Sequence, residues 1–375
     1  MKGISLYFHI PFCIKKCNYC SFYSVKYNEQ IKQKFINCLI KEISVNQDLL
    51  SNRKINTIYF GGGTPSLLDE NDFNLILEFL NKNFNTEEIK EITLEVNPET
   101  VTLEKFKSLI NIGVNRISVG VQTFKEDSLK ILGRTHNKKK IFDSYKILRE
   151  VGFNNINIDL ILGIPNENLK DLEETLKNTL LLNPEHISLY SLEYHEDTRI
   201  YFNLMKGEIK SWNKIKEKRG YLMIKNFLES NGYIQYEISN FAKKGFESIH
   251  NLNYWNGGEY LGFGPKSFSF IKNFYLKNGD LFFYFKSLSF NKKPYTKVYC
   301  INEEKLKNLL FVLSLRKIEG VNLKKFEDKF GKINEITYKR LLNLEKSGLI
   351  KKYKENIRLT TEGILISNEV FSNLI

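Results

Sequence analysis

The feature that most constrains the fold is a regular alternation of strand-like and helix-like segments between residue 4 and about residue 195. Strand-like runs lie at Ser5–Ile10, Ile55–Phe60, Ile92–Val96, Arg116–Val121, Ile156–Leu162 and Ile187–Leu192. Helical patterns lie between them at Glu29–Leu50, Asn71–Asn81, Leu103–Ile112, Lys138–Glu150 and Leu169–Leu181. This alternation is typical of βα units on a parallel sheet, and about six units fall short of the eight in a closed barrel. We therefore predict an α/β fold with a partial, open (β/α)6 TIM-like barrel.

Polar or flexible residues follow each predicted strand. In barrels of this kind the loops after the strands converge at one end, where ligands bind. The strands end, in chain order, in a cysteine loop, in Gly61–Pro65, in Glu95–Pro98, at Gln122, at Asp159 before Gly163, and at Ser191 with Glu193. The sequence therefore predicts one pocket at this end of the barrel.

The loop after the first strand carries three cysteines, Cys13, Cys17 and Cys20, in a C-x3-C-x2-C run. Thiolates suit the irons of an iron–sulfur cluster. A [4Fe–4S] cluster has four irons, so three thiolates leave one iron open to a ligand that is not protein. S-adenosylmethionine can fill that position with its amino and carboxylate groups. The run therefore predicts a [4Fe–4S] cluster with S-adenosylmethionine bound beside it.

Two other interpretations of the cysteines remain open at this point. Their spacing also fits one face of a helix, so they could form a small apolar stripe in a core. A structural zinc site is the second alternative, but such sites usually combine paired C-x2-C units or two histidines. The remaining cysteines, Cys38 and Cys300, lie far away in the sequence, and His9 is the only histidine nearby.

The motif Tyr7-x-His9-Ile-Pro-Phe-Cys13-x3-Cys17-x-Tyr19-Cys20 resembles that of the radical S-adenosylmethionine superfamily. Within it, the motif resembles the branch that holds oxygen-independent coproporphyrinogen III oxidase and the heme chaperones of the HemW type. The resemblance implies that Tyr7 and Tyr19 flank the cofactor. It also implies that the methionine end of the cofactor is held by Gly62, Gly63 and Thr64. Contacts with one or a second S-adenosylmethionine are implied for Glu95, Gln122, Arg134, Asp159 and Ser191.

A second motif, His250-Asn251-x2-Tyr254-Trp255, concerns heme. Imidazole is a common axial ligand of heme iron, and aromatic rings pack against a porphyrin plane. The pattern resembles the heme-binding signature of the HemW-type chaperones. We therefore expect His250, Asn251, Tyr254 and Trp255 to engage heme, which would pass to an acceptor protein that the sequence does not identify. The chain departs from that family at Lys266-Ser267-Phe268 and at Asn166-Glu167.

The alternative within the branch is an enzyme, the radical oxidative decarboxylase of heme biosynthesis. Its motif continues with a fourth cysteine at the position that Phe22 occupies here. It also has a long arm before the motif, whereas six residues precede Tyr7 in this sequence. The resemblance therefore favours a chaperone over a coproporphyrinogen oxidase.

The pattern changes from about residue 295. Helical periods at Glu303–Leu315, Leu323–Phe330 and Ile333–Ser347 precede a small β-hairpin, an outline like a winged helix. We predict a barrel domain over residues 1–295 and a C-terminal domain over residues 296–375. Such an outline alone would suggest DNA contact. The resemblance instead favours a domain that covers the barrel, and no nucleic-acid partner is expected.

Composition constrains the compartment and the partners. No run of about eighteen apolar residues occurs, the N-terminus does not resemble a secretory signal, and the five cysteines are an odd number. We therefore expect a cytoplasmic protein, and peripheral contact with a membrane is compatible with the sequence. The net charge of +13 arises from lysines spread along the whole chain, which favours anionic ligands in general.

Overall fold

A computed structural model describes residues 3–375 of the chain. The strands are β1 (Gly3–Ile10), β2 (Phe12–Cys13), β3 (Val25–Lys26), β4 (Lys54–Gly62), β5 (Glu91–Val96), β6 (Arg116–Gln122), β7 (Ile156–Leu162), β8 (His186–Ser191), β9 (Ile234–Glu237), β10 (Asn240–Ala242), β11 (Tyr260–Phe263), β12 (Phe268–Ile271), β13 (Phe274–Asn278), β14 (Tyr295–Cys300), β15 (Val321–Asn322), β16 (Ile350–Tyr353) and β17 (Asn356–Leu359). The helices are α1 (Glu29–Val45), α2 (Gln47–Leu50), α3 (Glu70–Asn83), α4 (Leu103–Asn111), α5 (Glu126–Leu132), α6 (Lys138–Val151), α7 (Leu169–Leu182), α8 (Arg199–Met205), α9 (Lys214–Ser230), α10 (Ile249–Trp255), α11 (Leu281–Ser289), α12 (Glu303–Leu315), α13 (Leu323–Phe330), α14 (Glu335–Lys346), α15 (Thr361–Leu365) and α16 (Ser367–Leu374).

One large sheet organises the described chain, with strand order β14-β13-β12-β11-β1-β4-β5-β6-β7-β8-β10-β9. The central strands from β11 through β8 are all parallel, and antiparallel strands extend the sheet on both sides. All six predicted strands lie side by side in this parallel part. The predicted partial (β/α)6 barrel is therefore confirmed, although the sequence did not predict the antiparallel extensions.

The parallel strands form because both of their faces are covered, one by the barrel interior and the other by helices. Strand β6 is buried along its whole length. On the helix side the ring of Phe8 stacks between those of Phe60 and Phe263, with ring centroids 5.0 and 5.1 Å apart. Apolar side chains at alternate positions of each strand therefore pack against the helices. The side chains at the other positions face the barrel interior.

The helix predicted over Glu29–Leu50 is wrong in its extent. Helix α1 ends at Val45, and the chain turns at the buried Asn46 before the short α2. The Asn46 side-chain amide donates to the carbonyl of Glu42 at 2.9 Å and accepts from the Tyr295 hydroxyl at 2.6 Å. Because Tyr295 is distant in sequence, local periodicity could not indicate this break.

The C-terminal segment has the predicted outline of three helices and a hairpin. Helices α12, α13 and α14 pack with a small sheet of order β15-β17-β16. Strand β14 still pairs with β13 in the large sheet, so the large sheet continues past residue 295. The predicted domain boundary at residue 295 stays a prediction, and the large sheet extends past it to Cys300. Within residues 3–375, no helix combines the length and apolar character needed to cross a membrane.

Glu42 ties α1 to the segment that follows β11. Its carboxylate is fully buried and accepts from the backbone N–H of Gly264 at 2.7 Å, from Asn278 at 2.6 Å and from the Tyr284 hydroxyl at 2.7 Å. These three donors hold the loop between β11 and β12 against the barrel. Removing the acceptor would leave buried donors unpaired, which is costly.

We expect the buried Glu42 carboxyl to contribute stability to the apoprotein that is lost as pH rises from about 4.5 to about 8. Burial raises the pKa of the Glu42 carboxyl from 4.5 to about 8, even though three donors oppose that shift. Between these pH values the folded state keeps a proton that the unfolded chain releases. The contribution of Glu42 to the free energy of unfolding should therefore fall, by at most about 1.4 kcal/mol per pH unit.

Denaturant unfolding of the apoprotein at several pH values tests this expectation. Glu42→Gln should flatten the slope, whereas Glu208→Gln, at an exposed position, should leave it unchanged. Other groups contribute to the slope in both proteins, since burial raises the pKa of Glu95 to about 7 and lowers that of His250 to about 3. A slope that is identical in Glu42→Gln and in the parent chain would contradict the assignment.

Candidate functional site

The cysteine loop follows β1 and is closed at its base by backbone pairing. Strand β2 pairs in parallel with β3, and the N–H of Tyr27 donates to the carbonyl of Cys13 at 2.9 Å. The loop is also attached to the far side of the barrel, where Asn18 donates from its backbone to Leu132 and from its side chain to Ile131, at 2.9 and 2.8 Å. The loop is therefore ordered by the protein itself.

Cys13, Cys17 and Cys20 are brought together on this loop as half-buried free thiols. Arg134 Nη1 lies 3.5 Å from the sulfur of Cys17, and the Thr64 hydroxyl lies 3.8 Å from that of Cys13. Burial raises the pKa of the Cys20 thiol to about 11 and also raises that of Cys13. The Cys13 and Cys20 thiols therefore hold their protons more tightly than free thiols do, and a bound metal would displace those protons.

These residues fit an iron–sulfur cluster better than a single ion. Among residues 3–375, no group of three His, Cys, Asp or Glu side chains converges as one metal ion would require. A four-iron cluster instead distributes its thiolates over separate irons, and N–H and O–H donors near the sulfurs tune its potential. Arg134 and Thr64 are donors of this kind.

The glycine run after β4 packs directly on the cysteine loop. The N–H of Gly63 donates to the carbonyl of Ile10 at 2.8 Å, and that of Thr64 donates to Phe12 at 2.7 Å. A Cβ atom on Gly62, which has a φ of 114°, would lie 2.6 Å from the His9 ring. A side chain here would collide with the loop, so glycine is required by close approach.

Two half-buried carboxylates, those of Glu95 and Asp159, lie inside the barrel behind the glycine run. Glu95 accepts from the Tyr59 hydroxyl at 2.8 Å and from the N–H of Gly62 at 3.1 Å. Asp159 accepts from Ser118 at 3.1 Å and from Asn157 at 2.8 Å. Burial raises the pKa of both carboxyls, with Asp159 adding to the effect on Glu95. Such groups can pair with an amino group or with ribose hydroxyls.

Arg134 links the cysteine loop to the strand ends. Besides Cys17, it donates to the side-chain oxygen of Asn97 and to the carbonyl of Gly120, both at 2.6 Å. Its buried Nε has no hydrogen-bond partner among the described residues, so it remains available to a ligand. Asn97 in turn donates to Thr64 at 3.1 Å. Asn97 lies in the predicted strand-end segment Glu95–Pro98 but was not among the predicted cofactor residues, although its position directly after β5 was the available signal.

The remaining predicted cofactor residues lie around this end of the barrel. Tyr7, on β1, joins its hydroxyl to His9 Nδ1 at 3.2 Å, and Tyr19 is half-buried in the cysteine loop. Gln122 ends β6 in a left-handed conformation with a φ of 72°. Ser191 ends β8 and is exposed. Their contacts with S-adenosylmethionine stay predictions.

A cavity of about 680 Å³ opens beside the cysteine loop, on the β1 and β11–β13 side of the sheet. Its wall is mainly aromatic and includes Tyr7, Tyr23, Tyr254, Trp255, Phe268 and Tyr275. Phe22, from the cysteine loop, and Leu313, from the C-terminal domain, also line it. One space therefore adjoins the cysteine loop, the Tyr254-Trp255 pair and the C-terminal domain.

His250 does not line this cavity. It is fully buried in α10, with Nδ1 2.7 Å from the Thr57 hydroxyl and Nε2 2.8 Å from the Tyr254 hydroxyl. Burial, with a smaller contribution from Arg116, lowers its pKa to about 3. Asn251 is half-buried, and its N–H donates to Ser248 at 3.3 Å.

Heme contact by His250 thus stays a prediction. In this structure each ring nitrogen is already hydrogen-bonded, so direct ligation would require at least one of these hydrogen bonds to break. The spacing of four residues on a helix could have indicated the contact between His250 and Tyr254.

Comparison with known proteins agrees with this architecture. The family model for the radical SAM superfamily matches residues 7–178, and that for the HemN C-terminal domain matches residues 303–366. A heme chaperone HemW from Bacillus subtilis is 37% identical over 98% of both chains. A second, from Lactococcus lactis, is 35% identical over 100% of this chain and 98% of its own.

The solved structure of coproporphyrinogen III oxidase (HemN) from Escherichia coli has the same fold. It superposes with a TM-score of 0.86 over 100% of this chain and 90% of that chain, at 24% identity. This likeness concerns the fold alone, whereas the full-length likeness to the two chaperones decides the family. The chain belongs to the HemW family of the radical SAM superfamily.

Proposed function

We propose that this protein is a cytoplasmic heme chaperone that binds heme in the aromatic cavity and passes it to an acceptor protein. The observation that carries the proposal is the cavity itself. It places the Tyr254-Trp255 pair opposite the cysteine loop, in a space of about 680 Å³. A flat, largely apolar ligand suits such a space, since aromatic walls bury its faces.

We further propose that Cys13, Cys17 and Cys20 hold a [4Fe–4S] cluster, with S-adenosylmethionine at the strand ends beside it. The cluster supplies one-electron redox chemistry when bound. Thr64 and Arg134 orient the cysteine sulfurs through the contacts described above. Glu95 and Asp159 offer half-buried acceptors for the polar groups of the cofactor.

In this proposal His250 acts through Tyr254. His250 Nε2 is hydrogen-bonded to the Tyr254 hydroxyl, and His250 Nδ1 is hydrogen-bonded to the Thr57 hydroxyl. Tyr254 is thereby fixed on the cavity wall, where its ring packs edge-on against that of Tyr260 at 4.6 Å between centroids. The geometry supports a positioning role for His250 over direct ligation of iron.

An anaerobic hemin titration of the cluster-reconstituted protein tests the proposal through the Soret band. We expect saturable binding near one heme per chain. His250→Ala should weaken it by about five- to ten-fold, because Tyr254 loses a buried hydrogen bond. The Soret position should stay unchanged, because His250 is not an iron ligand in this proposal.

Three results would count against parts of this account. A Soret shift in His250→Ala would show that His250 ligates iron directly. No saturable binding in the parent protein would exclude the chaperone proposal. Conversion of coproporphyrinogen III to a vinyl product would identify a decarboxylase instead.

A further inference from the structure

We propose that Lys266 and Lys277 bind the carboxylate groups of the ligand whose ring system lies against Tyr254 and Trp255. This inference rests on the proposed function and makes it more specific. It assigns the cavity to a flat ring that carries acidic side chains, and it orients that ring with its acidic edge toward β12 and β13.

Both lysines are half-buried in the cavity wall and have no carboxylate partner within 4.0 Å among residues 3–375. Their ammonium groups lie over aromatic rings instead, Lys266 at 6.0 Å from the Tyr23 centroid and Lys277 at 4.8 Å from that of Phe268. The one lysine that is fully buried among the described residues is, by contrast, paired with carboxylates. This lysine, Lys32, lies 2.7 Å from Asp69.

The charged residues that line the cavity give it a net positive charge. Asp197 is the single carboxylate among the lining residues that the structure describes, against three lysines with Lys16 included. Unpaired ammonium groups in a partly shielded, aromatic site attract an anion more strongly than they would in open water. A carboxylate is the simplest anion that can accept charge-assisted hydrogen bonds from ammonium groups at the edge of an aromatic cavity.

The backbone around Lys266 is held in an uncommon conformation. Lys266 has a φ of 60°, which residues with a side chain rarely adopt. Its N–H donates to the carbonyl of Gly279 at 2.7 Å, and the Ser267 hydroxyl donates to that of Gly264 at 2.7 Å. These hydrogen bonds hold the backbone of Lys266 in one conformation at the edge of the cavity.

The register of the β12–β13 hairpin brings the second lysine to the same place. Phe268 and Lys277 are direct partners across the two strands, and both line the cavity. Asn278 fixes the adjoining loop by donating to Ser267 at 3.0 Å and to Glu42 at 2.6 Å. Lys266 and Lys277 therefore stand on one braced edge of the cavity.

Two ligands that differ only in their carboxylates test the proposal, hemin and the dimethyl ester of iron protoporphyrin. The parent protein should bind hemin at least about ten-fold more tightly than the ester. Lys266→Gln and Lys277→Gln should each weaken hemin binding by about three- to ten-fold and leave ester binding unchanged. Lys266→Arg should retain most of the hemin affinity.

Lys272→Gln is the matched control, because Lys272 is exposed in the turn between β12 and β13 and is not a lining residue. Unchanged ester binding in each variant shows that the cavity itself is intact. The assignment of the two lysines would be overturned if Lys272→Gln lost as much hemin affinity as Lys266→Gln and Lys277→Gln do. It would also be overturned if the two cavity variants lost hemin affinity and ester affinity equally. Either result would leave the proposed function standing. Absence of binding of either ligand to the parent protein would overturn the proposed function as well.

Discussion

Replacing Cys17 by serine is expected to remove the iron–sulfur cluster. Two thiolates cannot hold the cluster on this loop, so iron should fall from about four atoms per chain to nearly none after anaerobic reconstitution. The broad sulfur-to-iron absorption should disappear with it. S-adenosylmethionine affinity should fall by more than about ten-fold, because the open iron is its principal anchor in this account. Iron analysis and calorimetry measure the two effects.

Cys300→Ser is the matched control for the cluster prediction. Cys300 is exposed at the end of β14, distant in sequence from the cysteine loop. Its substitution should leave iron content and S-adenosylmethionine affinity unchanged. Retention of about four irons in Cys17→Ser, or equal loss of iron in Cys300→Ser, would contradict the assignment of the ligands.

Trp255→Ala is expected to weaken heme binding by about thirty- to one-hundred-fold. The indole lines the cavity, and removing about 100 Å² of ring contact with the ligand costs about 2.5 kcal/mol. Arg316 of the C-terminal domain stacks on the outer face of the indole, with its guanidinium carbon 4.2 Å from the ring centroid. The variant therefore also loses a contact that holds this wall in place. The anaerobic hemin titration measures the change.

Two substitutions control for the loss of an aromatic ring. Trp255→Phe keeps a ring in the wall and should weaken heme binding only several-fold. Trp212→Phe alters the other tryptophan, which is buried apart from the cavity and donates to the carbonyl of Ile164 at 2.9 Å. Hemin affinity should be unchanged there. If the Trp255→Ala protein bound hemin as tightly as the parent protein does, the assignment of the indole to the heme site would be wrong.

The barrel strands could be predicted because their signal is local. Each of β1, β4, β5, β6, β7 and β8 is a short run of β-branched and aromatic residues, and each was located to within a few residues. Parallel strands in chain order then converge at one end, so the strand-end residues Glu95, Gln122 and Asp159 could be assigned to one region. The cysteine spacing was similarly local.

Other features depend on contacts between distant parts of the chain. The break after α1 depends on Tyr295, and the braced loop at Lys266 depends on Glu42, more than 200 residues away. The burial of His250 depends on Thr57 in β4. No periodicity within these segments encodes such partners. The Lys266-Ser267-Phe268 segment did depart from the family pattern, but its place in the cavity wall required the fold.

The central claim is that the ligand lies in the cavity between the Tyr254-Trp255 pair and the lysine edge. Crystals grown anaerobically with cobalt protoporphyrin test it most directly, through anomalous diffraction measured just above and just below the cobalt edge. The anomalous signal of the cluster iron is nearly the same on both sides of that edge, so the difference shows cobalt alone. The account predicts one cobalt peak inside the cavity, with the carboxylates toward Lys266 and Lys277. A single well-occupied cobalt peak elsewhere on the molecule, with the cavity empty, would contradict it.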